Sequence, residues 1–177
     1  PMFLALILIH ILYYPKGIVD RAKVISFPPI IFLFFTNLAF LVSMTNMYYF
    51  QIYDVPGELD IFRSVPIGLM FIVIALVVLY FSLREFVKVN EDPVPTSPSN
   101  LIITDNIYAY SRNPMYLGLL ILQIGLGMLL SVIHITFFAL FTYLILKYYV
   151  IIPEEKYLEE KFGEKYLSYK ISVRRWF

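Results

Sequence analysis

The chain predicts an all-α fold: a polytopic membrane helix bundle of about five transmembrane segments, completed by a C-terminal interfacial helix. Three observations carry that prediction. Of 177 residues, 60% are hydrophobic and only 15% charged, and mean hydropathy is +0.75, whereas a soluble domain is nearer half apolar and a quarter charged. The apolar residues are gathered into blocks approaching the roughly 20 residues with which a helix crosses a bilayer core. Prolines stand at the ends of these blocks, and apart from Lys147 the charges lie outside them.

The elements follow in order. Met2–Tyr14 is short for a span, at about 1.5 Å per residue against a core of about 30 Å, and reads as a tilted or shallow helix or as one whose start lies in the membrane interface. No basic leader precedes it and no small-residue cleavage site follows, so it is not read as a removable signal; Pro1 reads as an extraneous residue ahead of Met2. The second segment runs from Phe27 to Phe50, with Pro28 and Pro29 in the first turn, where missing N–H groups cost little. The third, Val65 to Ser82, again carries a proline (Pro66) near its start. The fourth runs from Pro114 to Leu130. The fifth, Ile135 to Ile152, is expected to stop before Pro153. Only Ser131 to His134 separate the last two, which predicts a tight antiparallel hairpin. Glu91–Asn100, rich in Pro, Ser and Asp, reads as an extended connector. Glu154–Lys170 reads as one helix with an apolar stripe of Leu158, Phe162, Tyr166 and Tyr169, continued by Val173, lying along the membrane surface or under the bundle.

Lysine and arginine alternate between the loops. The first loop has Lys16, Arg21 and Lys23; the second has only Arg63 among Asp54, Glu58 and Asp60. The third has Arg84, Lys88 and Arg112, the hairpin turn has none, and the tail has Lys156, Lys161, Lys165, Lys170, Arg174 and Arg175. Cationic loops stay inside, so loops one and three and the C-terminus are expected on the cytoplasmic side of an integral, multi-pass protein. With no large basic patch outside the tail, nucleic acid is not an expected partner. The absence of cysteine excludes disulfides, a cysteine nucleophile and thiolate metal sites. His10 and His134, the only histidines, stand too far apart to suggest a metal centre, and no metal is expected. His134 is expected as a surface residue of the external turn and His10 in a local hydrogen bond. Gln123, Asn37 and Asn46 are expected to bond between helices or to backbone, and Gly118, Gly125 and Gly127 to allow close helix approach.

Polar residues gather in two places on the cytoplasmic side: Tyr108-Ala109-Tyr110-Ser111-Arg112-Asn113-Pro114-Met115-Tyr116-Leu117-Gly118, and Pro153-Glu154-Glu155. They flank the two ends of the predicted hairpin. An antiparallel hairpin returns its end to its beginning, so Arg112 and the glutamates should be neighbours in space. One reading is interfacial anchoring plus a salt bridge. The other is a pocket for a zwitterionic ligand, an arginine holding its anion and a glutamate its ammonium.

Taken together, Ile102-Ile103-Thr104-Asp105-Asn106-Ile107-Tyr108, Arg112-Asn113-Pro114-Met115-Tyr116, and Glu154-Glu155 with Leu158, Phe162-Gly163, Tyr166 and Tyr169 resemble the isoprenylcysteine carboxyl methyltransferase and phospholipid methyltransferase superfamily. The likeness covers the half from Asn100 onward. It implies one membrane domain over 1–177, with 1–99 as N-terminal helices and connector and 100–177 as the cofactor-binding half. It implies a cytoplasmic-facing pocket for S-adenosylmethionine closed by the C-terminal segment, and a lateral opening for a membrane lipid or lipid-like acceptor. By position, the implied cofactor-binding residues are Asn100, Leu101, Ile102, Ile103, Tyr108, Asn113, Pro114, Met115, Tyr116 and Glu154. The implied catalytic arginine is Arg112, to which Glu155 is added as a second catalytic candidate.

Departures from the family pattern bear on the acceptor. Asn106 stands where glycine is frequent, and asparagine tolerates a left-handed backbone next best. Asn100 and Asn113 stand where histidine is common. Val150 stands where isoprenylcysteine enzymes carry the arginine assigned to the substrate carboxylate, and Lys147 is the nearest cation. Arg174 replaces a frequent proline, a change expected to affect only the tail. The reading is methyl transfer to a lipidic acceptor, a phospholipid-type amine being favoured over a prenylcysteine carboxylate. The rivals are a non-catalytic subunit that keeps the fold and a small transporter or lipid-binding scaffold.

Overall fold

The computed structural model describes residues 2–14, 20–51 and 56–176; Pro1, Lys16 and Asp54 lie outside them. Every regular element among the described residues is helical. In chain order they are α1 (Met2–Tyr13), α2 (Pro28–Tyr48), α3 (Val65–Lys88), α4 (Pro114–Leu129), α5 (Ile133–Leu146), α6 (Ile152–Phe162) and α7 (Glu164–Ser172). Short 3₁₀ turns cover Gly57–Arg63 and Asn106–Ala109, and a π turn, Lys147–Ile151, joins α5 to α6. Proline occupies the first or second position of α2, α3, α4 and α6, where its fixed φ suits a helix start.

Pro28–Tyr48, Val65–Lys88 and the rod Ile133–Phe162 are long and apolar enough to cross a membrane. In that rod the apolar run ends at Ile152; Glu154, Glu155, Lys156, Glu159, Glu160 and Lys161 follow, so α6 stands beyond the spanning part. α1 and α4 are shorter apolar helices. The 16 residues of α4 reach about 24 Å at 1.5 Å each.

α3 packs along α4, α4 against α5, α5 against α2, and α1 at the edge of α2. The outer face of α3 exposes Leu69, Met70, Val73, Leu76, Val77 and Tyr80, the side a bilayer would wet. Its inner face meets α4 backbone to backbone. A Cβ added to Gly68 would lie 2.5 Å from the Leu129 nitrogen and 2.9 Å from the Gly125 carbonyl, the close approach that small residues permit between membrane helices. Gly68→Ala should therefore cost stability by about 1–3 kcal/mol through overpacking, read as a lower thermal midpoint in detergent; an unchanged midpoint would contradict this contact.

The ends of several elements depart from expectation. α3 runs on past Ser82 to Lys88, because charge ends a span without ending a helix: Glu85 is buried and accepts hydrogen bonds from Lys88 (2.6 Å) and Asn106 (3.0 Å). The helical rod that α5 begins does not stop before Pro153 but runs on through the π turn into α6. Proline offers no N–H to the Tyr149 carbonyl one turn back; the π turn opens the ladder there, and that carbonyl accepts the Ile25 N–H instead, at 3.0 Å. The segment carrying Ile25 is thereby docked, and Ala22 and Val24 are buried against Leu146, Val150 and Ile151. The helix expected over Glu154–Lys170 is two helices, broken at Gly163 (φ 54°, ψ −129°), a backbone geometry that only glycine adopts cheaply.

Polar residues within the bundle divide. Asn37 bonds its own helix at the Leu33 carbonyl (2.7 Å). Asn46 meets His134 at 2.9 Å, so His134, expected at the surface, is half-buried and ties α2 to α5. His10 meets Ser26 at 2.9 Å. Gln123 departs from expectation: it is fully buried and neither amide atom has a hydrogen-bond partner. An unmet buried amide costs about 1–3 kcal/mol, so Gln123→Met, near in volume, should raise the thermal midpoint.

Candidate functional site

The site is built where the α4–α5 hairpin closes. Ahead of α4, the 3₁₀ turn begins at Asn106, whose φ of 54° is left-handed; its side-chain amide donates to Glu85 and fixes the turn to α3. Tyr108, in that turn, is buried. Its ring meets Phe86 edge-on at 5.9 Å, and its carbonyl accepts the Tyr169 hydroxyl at 2.7 Å. Asn113 precedes the first residue of α4 without capping it; its side-chain nitrogen donates instead to the Arg175 carbonyl at 3.1 Å.

The expected meeting of Arg112 with the glutamates is present. Arg112 Nη2 donates to Glu155 Oε1 at 2.9 Å, and both side chains are almost fully buried. Arg112 Nη1 donates to the carbonyls of Lys170 (2.8 Å) and Val173 (2.6 Å), and its backbone N–H to Arg174 (3.0 Å). Its Nε is buried without a partner. Glu155 is forked by Arg175, at 3.0 Å from Nε and 2.7 Å from Nη2. Burial alone would push the Glu155 carboxyl up, but the hydrogen bonds from Arg175 and Arg112 hold it below the ordinary carboxylate range. Glu154 is the contrasting neighbour. It accepts the Tyr116 hydroxyl at 2.6 Å. Burial pushes its pKa up to about 7; the Tyr116 bond opposes the rise and the Glu155 charge adds to it.

Three cavities adjoin these residues. A polar one of about 70 Å³ is walled by the connector from Asp92 to Pro95, by Leu101, Ile102 and Ile103, and by Arg112, Asn113, Glu154, Glu155, Leu158, Tyr166 and Tyr169. An apolar one of about 410 Å³ lies between Leu79 and Leu83 of α3 and Met115, Tyr116 and Leu119 of α4, reaching Phe27, Pro28 and Pro29. A junction of about 30 Å³, lined by Phe86, Pro93, Tyr108, Arg112, Asn113, Met115, Tyr116 and Glu154, shares walls with both.

Of the residues singled out in the sequence, Leu101, Ile102, Ile103, Arg112, Asn113, Glu154 and Glu155 line the polar cavity, and Tyr108, Met115 and Tyr116 line the junction. Two are not brought to these walls. Asn100 precedes the lining, its N–H donating to Glu91 at 3.1 Å; Pro114 is fully buried under the start of α4. Sequence reasoning missed Arg175, Phe86 and the connector wall. The replacement at Arg174 was expected to touch only the tail, yet that tail is bonded to Ser111, Arg112, Asn113 and Glu155. The adjacent arginines were the available signal. Val150, at the position of the prenylcysteine arginine, is fully buried among apolar neighbours, and Lys147 sits over the rings of Tyr143 and Tyr148.

The protein-S-isoprenylcysteine O-methyltransferase of Schizosaccharomyces pombe is 40% identical over 76 residues, covering 42% of this chain and 31% of that protein; the chain thus matches about a third of that relative's length. An uncharacterized protein of Haemophilus influenzae is 39% identical over 66 residues, 35% of this chain and 98% of its own length. No solved structure matches significantly. The family model for phospholipid methyltransferase matches residues 62–165, from the turn before α3 into α7 and more than half of the chain, and with that match this membrane bundle belongs to the phospholipid methyltransferase family.

Proposed function

We propose that the chain is a membrane methyltransferase that takes its methyl group from S-adenosylmethionine and delivers it to the amine headgroup of a phospholipid or lipid-like acceptor. The observation that carries this reading is the junction, which shares Arg112 and Glu154 with the polar, ion-paired cavity and Met115 and Tyr116 with the apolar one. Two reactants of opposite polarity can meet there, and holding them in line is the main demand of the reaction.

The bound donor supplies an electrophilic methyl group on a sulfonium. The chain's own residues fit its other groups. Glu154 is placed to pair an ammonium, the Arg112 Nε is a buried donor still open, and Leu101, Ile102, Ile103 and Leu158 offer apolar walls to a nucleoside. Ligand pockets of this class run to about 300–1,000 Å³, so a wall must part on entry; the connector Pro93–Pro95, shared between the polar and apolar cavities, is the wall proposed to move. At the junction, desolvation favours the neutral, nucleophilic form of an amine. Phe86, Tyr108 and Tyr116 present rings to the positive charge that develops on nitrogen as the methyl transfers. A carboxylate acceptor is less well served, because both terminal nitrogens of Arg112 are already spent on Glu155 and backbone carbonyls and no cation stands at Val150. The loop charges support a site facing the cytoplasm.

The direct test reconstitutes the protein in vesicles containing ethanolamine phospholipid, with methyl-labelled S-adenosylmethionine. Label in the headgroup of the lipid fraction is expected; label only in added prenylcysteine, or none from folded protein that binds the donor, overturns the acceptor assignment. Leu119→Trp, which fills the apolar cavity, should raise the acceptor KM about tenfold or more, a loss of more than 1.4 kcal/mol of acceptor binding, and leave donor affinity unchanged in calorimetry.

A further inference from the structure

Outside the residues assigned to binding and catalysis, one ionic contact makes the site depend on the chain's last described turn. The chain leaves α7 at Val173 in extended conformation, and Val173–Trp176 lies across the base of the site as a strap. Its main chain accepts from Arg112 at Val173 and Arg174, and from Ser111 (3.3 Å) and Asn113 at Arg175. The Trp176 ring seats on Tyr143 of α5 at 5.5 Å. The Arg175 guanidinium grips both oxygens of Glu155, yet Arg175 lines none of the three cavities described above.

We infer that Arg175 is a positioning residue: by clamping Glu155 from behind, it orients the Arg112–Glu155 pair toward the polar cavity and sets the charge that a donor's amino-acid end meets. This rests on the donor-site reading above. Two points of chemistry support it. A carboxylate held by the Arg175 fork as well as by Arg112 is fixed in rotation, whereas one held by Arg112 alone is free to turn on its single Oε1 contact. The three groups together carry one positive charge in excess beside the cavity; removing Arg175 leaves a neutral pair. The carboxylate of an amino-acid ligand is favoured by that excess, and a nucleoside lacking the amino-acid end does not sense it.

The test uses the full chain in detergent and two probes: S-adenosylhomocysteine, which carries the amino-acid end, and methylthioadenosine, which lacks it. Trp176 is the single tryptophan of the sequence, so its emission reports strap docking with no ligand present. Arg175→Ala is expected to shift that emission to the red and to weaken S-adenosylhomocysteine about tenfold, less than for cutting a fully buried charge pair because the Arg175 side chain is 30% exposed, while methylthioadenosine binding stays within twofold of wild type. Arg175→Lys keeps a cation on Glu155 and loses the fork; it should hold the strap, with emission as in wild type, and recover part of the affinity. Equal weakening of both probes would reduce Arg175 to a structural contact and overturn the inference, as would unchanged emission and affinity in Arg175→Ala. A folded wild type that binds neither probe overturns the donor-site reading itself, and the positioning role with it.

Discussion

Arg112→Lys is expected to lower turnover by about a hundredfold, the scale on which a small misplacement of reacting groups acts, while leaving the charge at that position intact. The guanidinium spans Glu155 on one side and the carbonyls of Lys170 and Val173 on the other, and a lysine ammonium has neither the planar fork nor the reach to hold all three. The same substitution removes the unpaired Nε proposed to face the donor. Arg112→Ala is the less informative variant. It strips one partner from a buried carboxylate, a change that costs about 3–5 kcal/mol where nothing else compensates, so lost activity would be confounded with lost structure. For Arg112→Lys, kcat and the thermal midpoint are measured separately. A large fall in kcat with a modest fall in midpoint supports the catalytic assignment; wild-type kcat would remove Arg112 from the mechanism.

The second large effect concerns pH. Glu154 has a pKa raised to about 7, so below that pH it is largely protonated and neutral, and above it ionised. Only the ionised form pairs an ammonium. The KM for the donor should therefore fall as pH rises through about 7, and Glu154→Gln should abolish the slope and weaken the donor about tenfold, or roughly 1.4 kcal/mol. Tyr116, Glu155 and Arg112 face the same space, and of these Glu155 is held ionised throughout the window. Stability should move the opposite way. Because the folded-state value lies above the unfolded 4.5, the folded protein holds the proton more tightly. Stability is then fully present below about pH 4.5 and declines as pH rises toward 7. Glu154→Gln should thus flatten both curves, gaining stability at alkaline pH while losing donor affinity. Parallel changes in the two would mean that Glu154 is a structural ion rather than a ligand.

The membrane bundle, the proline-led starts of α2, α3 and α4, and the meeting of Arg112 with Glu155 were all legible in the sequence, because each follows from local composition or from the geometry of a short hairpin. What escaped depended on partners distant along the chain. Pro153 reads as a stop until the Ile25 N–H arrives to take the Tyr149 carbonyl. Arg175 reads as a tail charge until α7 turns at Gly163 and carries it back to Glu155. The stripe from Leu158 to Tyr169 keeps helical spacing across Gly163, so periodicity alone could not reveal the break, although the glycine itself was visible.

The contact between Gly68 and Gly125 acts as a fulcrum. It pins α3 to α4 at the end remote from the ionic cluster, where backbone touches backbone and little can give. Toward the other end the apolar cavity lies beside Leu79, Leu83, Met115 and Leu119, and the helices meet there through side chains, Leu79 lying against Gly118. On the proposed lipid-acceptor reading, side-chain rotamers at this end can adjust to tails of different length or saturation while the backbone contact stays shut, which puts tolerance toward the acyl portion and selectivity toward the headgroup at different depths of one helix pair.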